Sequence, residues 1–147
     1  MFLSSASMED AEAIARNDVD LRREIEDVSM DFQPALAGVQ ALIATPERGF
    51  YLLAKQDNTV IGQVLVTHEW SDWRNRDIWW LHRIYVKPTW RHKGILTKLF
   101  REIQEKARGT NVYAIRLYLH EENRDAEDIY RRLGMERTPF HIFSVRV

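Results

Sequence analysis

The stretch VKPTWRHKGILTKLF, residues 86–100, determines how the rest of this chain is interpreted. A run typical of a β-strand stops at Pro88, a short basic loop with one glycine follows, and a helical pattern opens at Ile95. The first turn of a helix has unpaired N–H groups and the positive end of the helix dipole, and Gly94 permits a close backbone approach. Such a turn suits a phosphate or pyrophosphate. On its own, the loop equally fits a plain turn with solvated basic residues.

Composition narrows the class of protein. The 147 residues suit one domain, 1–147, and a net charge of −1 argues against a nucleic-acid binder. The lack of cysteine excludes disulfides, thiolate metal sites and a cysteine nucleophile, and the five histidines show no metal-ligand spacing. The opening MFLSSASMED does not resemble a signal peptide, and no apolar run is long enough to span a membrane. We therefore expect a cytoplasmic protein with no metal and no nucleic-acid or membrane partner.

Hydrophobic periodicity predicts a strand, two helices, three antiparallel strands, a helix, a strand, a helix and a final strand. The strands are expected at 2–7, 50–55, 60–70, 78–86, 114–120 and 140–147. The first helical region extends to Asp31 and includes Leu21, Ile25 and Val28. The strand–helix–strand unit at 78–120 requires a parallel pair. We expect an α/β fold whose mixed, mostly antiparallel sheet is flanked by about four helices, and the edge strand 140–147 favours a homodimer.

Two sequence motifs of this chain resemble the two motifs of the GNAT N-acetyltransferases and follow one another in the same order. Arg91-x-x-Gly94, after the predicted strand, resembles the acetyl-CoA-binding motif Gln/Arg-x-x-Gly-x-Gly/Ala. Further on, Asn123 opens a helix that carries Ala126 and Tyr130 and ends at LGM (133–135), similar to the second GNAT motif. The stretch EWSDWRN (69–75) looks like one found in a bacterial GNAT subgroup.

The resemblance covers nearly the whole chain, and it implies a three-layer GNAT fold. It further implies an acetyl-CoA-dependent N-acetyltransferase that acts on a primary amine, preferably of a small molecule. Acetylation of a protein N-terminus or lysine, and a non-catalytic acyl-CoA-binding regulatory module, are the alternatives. Leu96 departs from the motif, because the family has a small residue there, and we expect a shifted contact with the pyrophosphate.

The resemblance also implies where the cofactor lies. Arg91 would help to bind the pyrophosphate. The main contacts would come from the backbone N–H groups of the residues that follow it, namely His92, Lys93, Gly94, Ile95, Leu96 and Thr97. The pantetheine arm would lie where strands 78–86 and 114–120 splay apart, paired with the backbone of Ile84, Tyr85 and Val86. A backbone N–H near Tyr85 or Val86 would polarise the thioester carbonyl.

For four side chains the resemblance implies a role in binding or catalysis, and an ordinary structural role is the alternative. Asn123 would bind the cofactor arm, or it is simply a helix N-cap. Tyr130 would be the general acid, or it is core, since it shares an apolar face with Ile129. The base that takes the proton of the amine is expected to be His82 or Glu69, either of which could instead be structural.

The polar hairpin around residues 70–77 is rich in tryptophan. Trp70 and Trp73 would wall the acceptor site by cation–π contact, with Asp72 pairing the charge of the amine. The alternative is that the tryptophans attach the hairpin to the first two helices, with Asp72 and Arg74 forming a local pair.

Overall fold

The computed structural model describes residues 1–27 and 29–147, and within them it contains five β-strands and four α-helices. The strands are β1 Phe2–Ser5, β2 Gly49–Gln56, β3 Thr59–Ser71, β4 Arg76–Val86 and β5 Val112–Leu117. The helices are α1 Ala11–Glu26, α2 Phe32–Ile43, α3 Ile95–Arg108 and α4 Arg124–Arg132, with 3₁₀ turns at Met8–Asp10 and Pro88–Trp90. The predicted mixed α/β fold with about four helices is confirmed. Val28 lies outside the described residues.

The strands follow the chain in a single sheet of order β1-β2-β3-β4-β5. The pairs β1–β2, β2–β3 and β3–β4 are antiparallel, and the pair β4–β5 is parallel. The parallel pair follows from the connection through α3, because a parallel strand needs a crossover.

Helices cover both faces of the sheet, which gives the three layers. Successive residues of β2 point to opposite faces, so Leu52 and Leu53 enter different cores. The core containing Leu53 includes the buried residues of α1 and α2, and the core containing Leu52 includes those of α3. Gly62 of β3 allows α3 to approach closely, since a Cβ there would lie 3.0 Å from Cγ2 of Ile95. The first turn of α3 is therefore held directly against the sheet.

Several predicted boundaries differ from the structure, and the strand predicted at 140–147 is not formed in the described residues. The first helix ends at Glu26 rather than Asp31, because Asp27 adopts a left-handed conformation with φ of 50°. The predicted strand 114–120 is β5, which ends at Leu117, where its pairing with β4 stops. Residues 140–147 have the composition of a strand, but in the described structure they have no strand partner and all are exposed. An extended segment becomes a strand only when its backbone is paired.

Among the helices of the described residues, none is both long enough and apolar enough to cross a bilayer.

Candidate active site

The sheet opens along the second half of β4. The pairing of β4 with β5 ends at Leu81↔Leu117, whereas its pairing with β3 continues to Gly62↔Val86. β4 and β5 therefore splay apart beyond Leu81. The backbone edge of residues 82–86 faces the resulting gap, which is where Ile84, Tyr85 and Val86 were predicted to receive an extended ligand arm.

A β-bulge lies beside this gap. Gln63 is opposite Tyr85 while Leu65 is opposite His82, so two β4 residues, Arg83 and Ile84, face a single residue of β3. Arg83 has a φ of 50°, which is uncommon outside glycine. A bulge reorients the backbone groups next to it.

The loop from β4 to α3 presents the start of a helix to solvent. Gly94 is the N-cap of α3 with φ of 79°, and His92 has φ of 61°. The N–H of Lys98 donates to the Gly94 carbonyl at 3.1 Å, so the N–H groups of Ile95, Leu96 and Thr97 precede the first intrahelical bond. A Cβ on Gly94 would meet no atom of the described residues within 4 Å. This open, positively polarised cradle fits a pyrophosphate.

Arg91 ties the loop to the rest of the molecule. Its Nε donates to the Val86 carbonyl at 2.8 Å, and its Nη2 donates to Oε2 of Glu24 in α1 at 2.6 Å. The Tyr85 hydroxyl donates to Oε1 of the same glutamate at 3.1 Å. Burial, together with the charge of Glu24, raises the pKa of Tyr85 to about 12. Arg91 thus holds the loop in place through Glu24, and its contact with a pyrophosphate stays a prediction.

Asn123 and Tyr130 lie on α4 as the motif requires. Oδ1 of Asn123 accepts from the Ala126 N–H at 3.3 Å, so the residue is an N-cap, and its side-chain NH₂ group is a donor that the cap does not use. Tyr130 packs against the core that contains Leu133 and Leu81. Burial raises the pKa of its hydroxyl to about 12. The group therefore keeps its proton at neutral pH.

His82 stands where β4 leaves β5, and its Nε2 lies 2.9 Å from Oγ1 of Thr67. Burial and the positive charge of Arg83 lower the pKa of His82, which favours the neutral imidazole. Glu69 is further along β3, where its Oε1 accepts from the Trp80 indole at 3.3 Å. His82 is therefore next to the splay, and Glu69 is several residues away from it.

A cavity of about 290 Å³ lies on the α1 side of the bulge, and the sequence reasoning did not identify it. It is lined by Asp18, Leu21, Arg22, Ile25, Glu26, Met30 and Arg83. Asp18 is buried and accepts from Nε2 of Gln63 at 2.7 Å, and Gln63 in turn accepts from Asn17 at 3.0 Å. Burial raises the pKa of Asp18 to about 6. The sequence signal was a polar pair, Asn17-Asp18, on a helix whose preceding stripe is apolar.

A strand that parts from its parallel neighbour beside an open helix N-terminus matches the predicted family, and the comparisons agree. The model of the acetyltransferase (GNAT) family matches residues 15–135. The chain belongs to the GNAT family. A crystal structure of a possible acetyltransferase from Clostridium difficile 630 superposes with a TM-score of 0.93 at 31% identity, covering 99% of this chain and 97% of that one.

Curated relatives match shorter parts of this GNAT chain. The thialysine N-epsilon-acetyltransferase of Bos taurus is 35% identical over 81 residues, which are 55% of this chain and 47% of that protein. An uncharacterized N-acetyltransferase in the pepI 3' region of Lactobacillus delbrueckii subsp. lactis is 30% identical over 105 residues, or 69% of this chain and 59% of that one. The chain thus spans about half the length of the curated relatives it matches first.

The GNAT fold keeps the tryptophan-rich hairpin away from the bulge. Trp73 is 89% exposed at the tip, and the Trp70 indole donates to Oδ1 of Asn75 at 3.1 Å. Asp72 is exposed on the same turn. The seven residues from Arg76 to the bulge correspond to roughly 20 Å of strand. The structure does not bring these three residues together with the splay, and their role as acceptor ligands stays a prediction.

Arg74 packs locally. Its guanidinium lies 4.0 Å from the centroid of the Tyr113 ring on β5, and its Nη1 donates to Oγ of Ser71 at 3.3 Å. The contact with Tyr113 attaches the hairpin to β5, and the bond to Ser71 lies within the hairpin. Over residues 1–27 and 29–147, no group of three or more His, Asp or Glu side chains is arranged to hold a metal ion.

Proposed function

We propose that this GNAT protein is an acetyl-CoA-dependent N-acetyltransferase that acetylates a primary amine of a small molecule. The observation that carries the proposal is the splay of β4 from β5 beside the open N-terminus of α3. The gap offers unpaired backbone groups to an extended arm, and the helix start offers N–H groups to a diphosphate. One ligand of this family has both parts, namely acetyl-CoA.

The chain would hold this ligand at three places. Backbone N–H groups of residues 92–97 would bind the pyrophosphate, with Gly94 leaving the space open. The β4 backbone at Ile84, Tyr85 and Val86 would pair with the pantetheine amides as an added strand does. The Asn123 NH₂ group would donate to the same arm. Leu96 is half-buried, and we expect it to shift the contact with the pyrophosphate rather than to remove it.

The reaction joins the amine nitrogen to the acetyl carbon and breaks the carbon–sulfur bond. Acetyl-CoA supplies an activated thioester. A backbone N–H beside the bulge, near Tyr85, would donate to the carbonyl oxygen and stabilise its developing charge. His82, neutral because its pKa is lowered, would accept the proton that the amine loses, and Glu69 is the alternative base. Tyr130 would donate its proton to the departing sulfur.

The cavity beside the bulge is the better candidate for the acceptor amine. Arg83 belongs both to its lining and to the bulge, so the cavity adjoins the position of the thioester carbonyl. Asp18 provides a carboxylate to a cationic amine, and Leu21 and Ile25 provide apolar contacts for a carbon chain. The name of the bovine relative, thialysine N-epsilon-acetyltransferase, describes acetylation of an ε-nitrogen. This name is consistent with a small amine as the acceptor. Trp70, Asp72 and Trp73 remain the alternative acceptor residues.

Two further parts of the proposal concern the cellular location and the oligomeric state. We place the protein in the cytoplasm, where its lack of cysteine fits a reducing compartment. We also expect a homodimer. A non-catalytic acyl-CoA-binding module is disfavoured because the chain has a tyrosine, Tyr130, at the position that the family motif assigns to the acid.

Calorimetric titration with acetyl-CoA tests the proposal, with CoA and ADP as controls. We expect acetyl-CoA and CoA to bind with similar affinity and ADP to bind more weakly, because ADP reaches only the helix start. A screen of small amines, followed by release of the free thiol, would then find the acceptor. Absence of acetyl-CoA binding by the folded protein would refute the enzyme reading, and binding without turnover on any amine would favour the regulatory module.

A further inference from the structure

The β-bulge in β4 places two consecutive side chains on the face of the sheet where α1 lies. Leu81 and Ile84 pack into the core that includes α3, whereas Arg83 lines the cavity on the α1 side. His82 follows Leu81 in a regular part of the strand, so it also points to the α1 side. In a regular strand Arg83 would point to the opposite face, because successive side chains alternate. The bulge therefore brings the guanidinium of Arg83 to the same face as the predicted base.

The charge of Arg83 reaches the titratable groups around the cavity. Burial, followed by the charge of Arg83, lowers the pKa of His82. Burial raises the pKa of Asp18 to about 6, and the charge of Arg83 opposes that rise. Any amine that reacts beside His82 therefore lies within the field of this guanidinium.

Arg83 has no protein counter-ion in the described structure. Among residues 1–27 and 29–147, no carboxylate forms an ion pair with it. The second guanidinium of the cavity, that of Arg22, pairs with Glu26 at 3.0 Å. Asp18 accepts its hydrogen bond from Gln63. Once the Arg22–Glu26 pair is set aside, the cavity retains one carboxylate and one guanidinium that no ion pair neutralises.

This pair of opposite charges selects among small amines. The ammonium group of a plain alkylamine is attracted by Asp18 but repelled by Arg83. An acceptor that also carries a carboxylate is attracted by both residues, and the planar guanidinium fork can bind a carboxylate with two parallel hydrogen bonds. Because the residue is exposed to solvent, a ligand can reach it. Since His82 and Arg83 are adjacent on one face, the carboxylate should be only one or two carbon atoms from the amine.

The size and lining of the cavity limit the rest of the acceptor. Its volume of about 290 Å³ is at the lower end of the range of small-molecule sites, which suits a molecule no larger than a single amino acid. Leu21, Ile25 and Met30 supply apolar surface beside the charged groups. An apolar side chain fits this surface better than a second charged group does.

We propose that the acceptor is an amino acid with an apolar side chain, whose carboxylate is bound by Arg83 and whose ammonium group approaches Asp18. This inference rests on the proposed acetyltransferase activity and adds the class of its substrate. The amine nitrogen bonds to the acetyl carbon while the carbon–sulfur bond breaks, and His82 takes the proton that the nitrogen loses. The products are an N-acetyl amino acid and the free thiol of CoA. Arg83 binds the carboxylate, which the reaction leaves unchanged.

Matched acceptors test the inference. Leucine, methionine, valine and phenylalanine are each compared with the corresponding carboxamide, and leucine also with 3-methylbutylamine, which lacks the carboxyl group. Thiol release gives kcat/KM, and calorimetric titration into CoA-saturated protein gives affinity without turnover. We expect the best amino acid to exceed its carboxamide about tenfold or more in both quantities, because the amide cannot form the charged pair.

Arg83→Gln should reduce this preference to within about twofold while acetyl-CoA affinity stays unchanged. The preference is a ratio measured within one variant, so an altered pKa of His82 affects both acceptors and cancels. Arg23→Gln is the matched control, because it removes one positive charge from the exposed surface of α1 outside the cavity. Its preference should equal that of the wild type.

The outcomes separate this inference from the proposed function. Carboxamides or 3-methylbutylamine accepted as well as the amino acids, a preference that survives Arg83→Gln, or no binding of any of the four amino acids to the CoA-saturated protein would each overturn the inference. The proposed acetyltransferase would stand in those cases as long as some amine is acetylated. Failure of the folded protein to bind acetyl-CoA would refute the proposed function itself.

Discussion

Tyr130 is a partly buried phenol, and the proposed reaction needs the proton of its hydroxyl. Burial raises its pKa to about 12, so the hydroxyl is protonated throughout the neutral range. We expect Tyr130→Phe to keep the ring in the core and to lose the proton, which should lower kcat about 100-fold or more. Steady-state kinetics and calorimetry measure the two quantities that matter, turnover and acetyl-CoA affinity.

The affinity of the Tyr130→Phe variant for acetyl-CoA serves as the control for the turnover measurement. Because the packing of the ring is retained, this affinity should change by no more than about twofold. A variant with wild-type turnover would remove Tyr130 from the mechanism. Equal losses in turnover and affinity would instead indicate a binding role.

The pKa of His82 leads to a prediction about the pH dependence of kcat/KM. Burial and the charge of Arg83 lower its pKa below the usual value, so the imidazole is neutral at pH 7 and becomes protonated only as the pH falls. A protonated imidazole cannot accept a proton from the amine. We therefore expect kcat/KM to fall toward acid with a midpoint below about 6.5 and to lose that acid limb in His82→Ala.

Glu69→Gln is the matched comparison for His82→Ala, since Glu69 is the other predicted base and bonds Trp80 on the same sheet. The glutamine keeps that contact and should leave the acid limb in place. If the limb instead disappears in Glu69→Gln and persists in His82→Ala, Glu69 is the base.

At the scale of elements, the start of α3 supports a prediction about binding. Gly94 has φ of 79°, and a Cβ there meets nothing of the described residues within 4 Å. Gly94→Trp should fill the space reserved for the pyrophosphate and abolish acetyl-CoA binding in calorimetry. Its positive φ should also cost about 1–2 kcal/mol of unfolding free energy.

Gly94→Ala separates the two effects, because alanine has the same backbone strain but leaves most of the space open. Its stability should match that of Gly94→Trp, and it should still bind acetyl-CoA. Unchanged affinity in the tryptophan variant would show that the ligand does not touch the loop.

Elements differ in how far the sequence predicts them. The strand–loop–helix at 78–108 is local, because the run of large and β-branched residues in β4, the glycine and the helical stripe of α3 are all contained in one stretch. The strand expected at 140–147 depends on something that is not local. Its residue types are typical of a strand, but pairing needs an edge, and in the described structure the segment is not paired with the edge of its own sheet.

At the scale of the whole molecule, the cavity that we propose for the acceptor exists only because α1 lies across the sheet beside the bulge. Asp18 comes from α1 and Arg83 from β4, and together they line the cavity. We expect Asp18→Asn to raise KM for a cationic amine about tenfold or more while acetyl-CoA affinity stays unchanged. The asparagine can still accept a hydrogen bond from Gln63, so the change is mainly one of charge.

Trp73→Ala is the counterpart at the hairpin, because the same KM measurement decides between the two acceptor sites. If the cavity is the acceptor site, the KM of Trp73→Ala for the amine should stay within about twofold of the wild-type value, since the exposed Trp73 contributes no buried contact. A selective rise in KM for Trp73→Ala, with none for Asp18→Asn, would move the acceptor to the hairpin.

The sequence by itself determined the features whose causes are close together along the chain. The glycine at the start of α3, the asparagine cap of α4 and the run of large residues in β4 each depend on a few neighbouring residues. The tertiary structure alone decided the bulge at Arg83, the cavity at Asp18 and the bond from Arg91 to Glu24. These depend on residues that are distant in the chain and that only the packing of α1 on the sheet brings together.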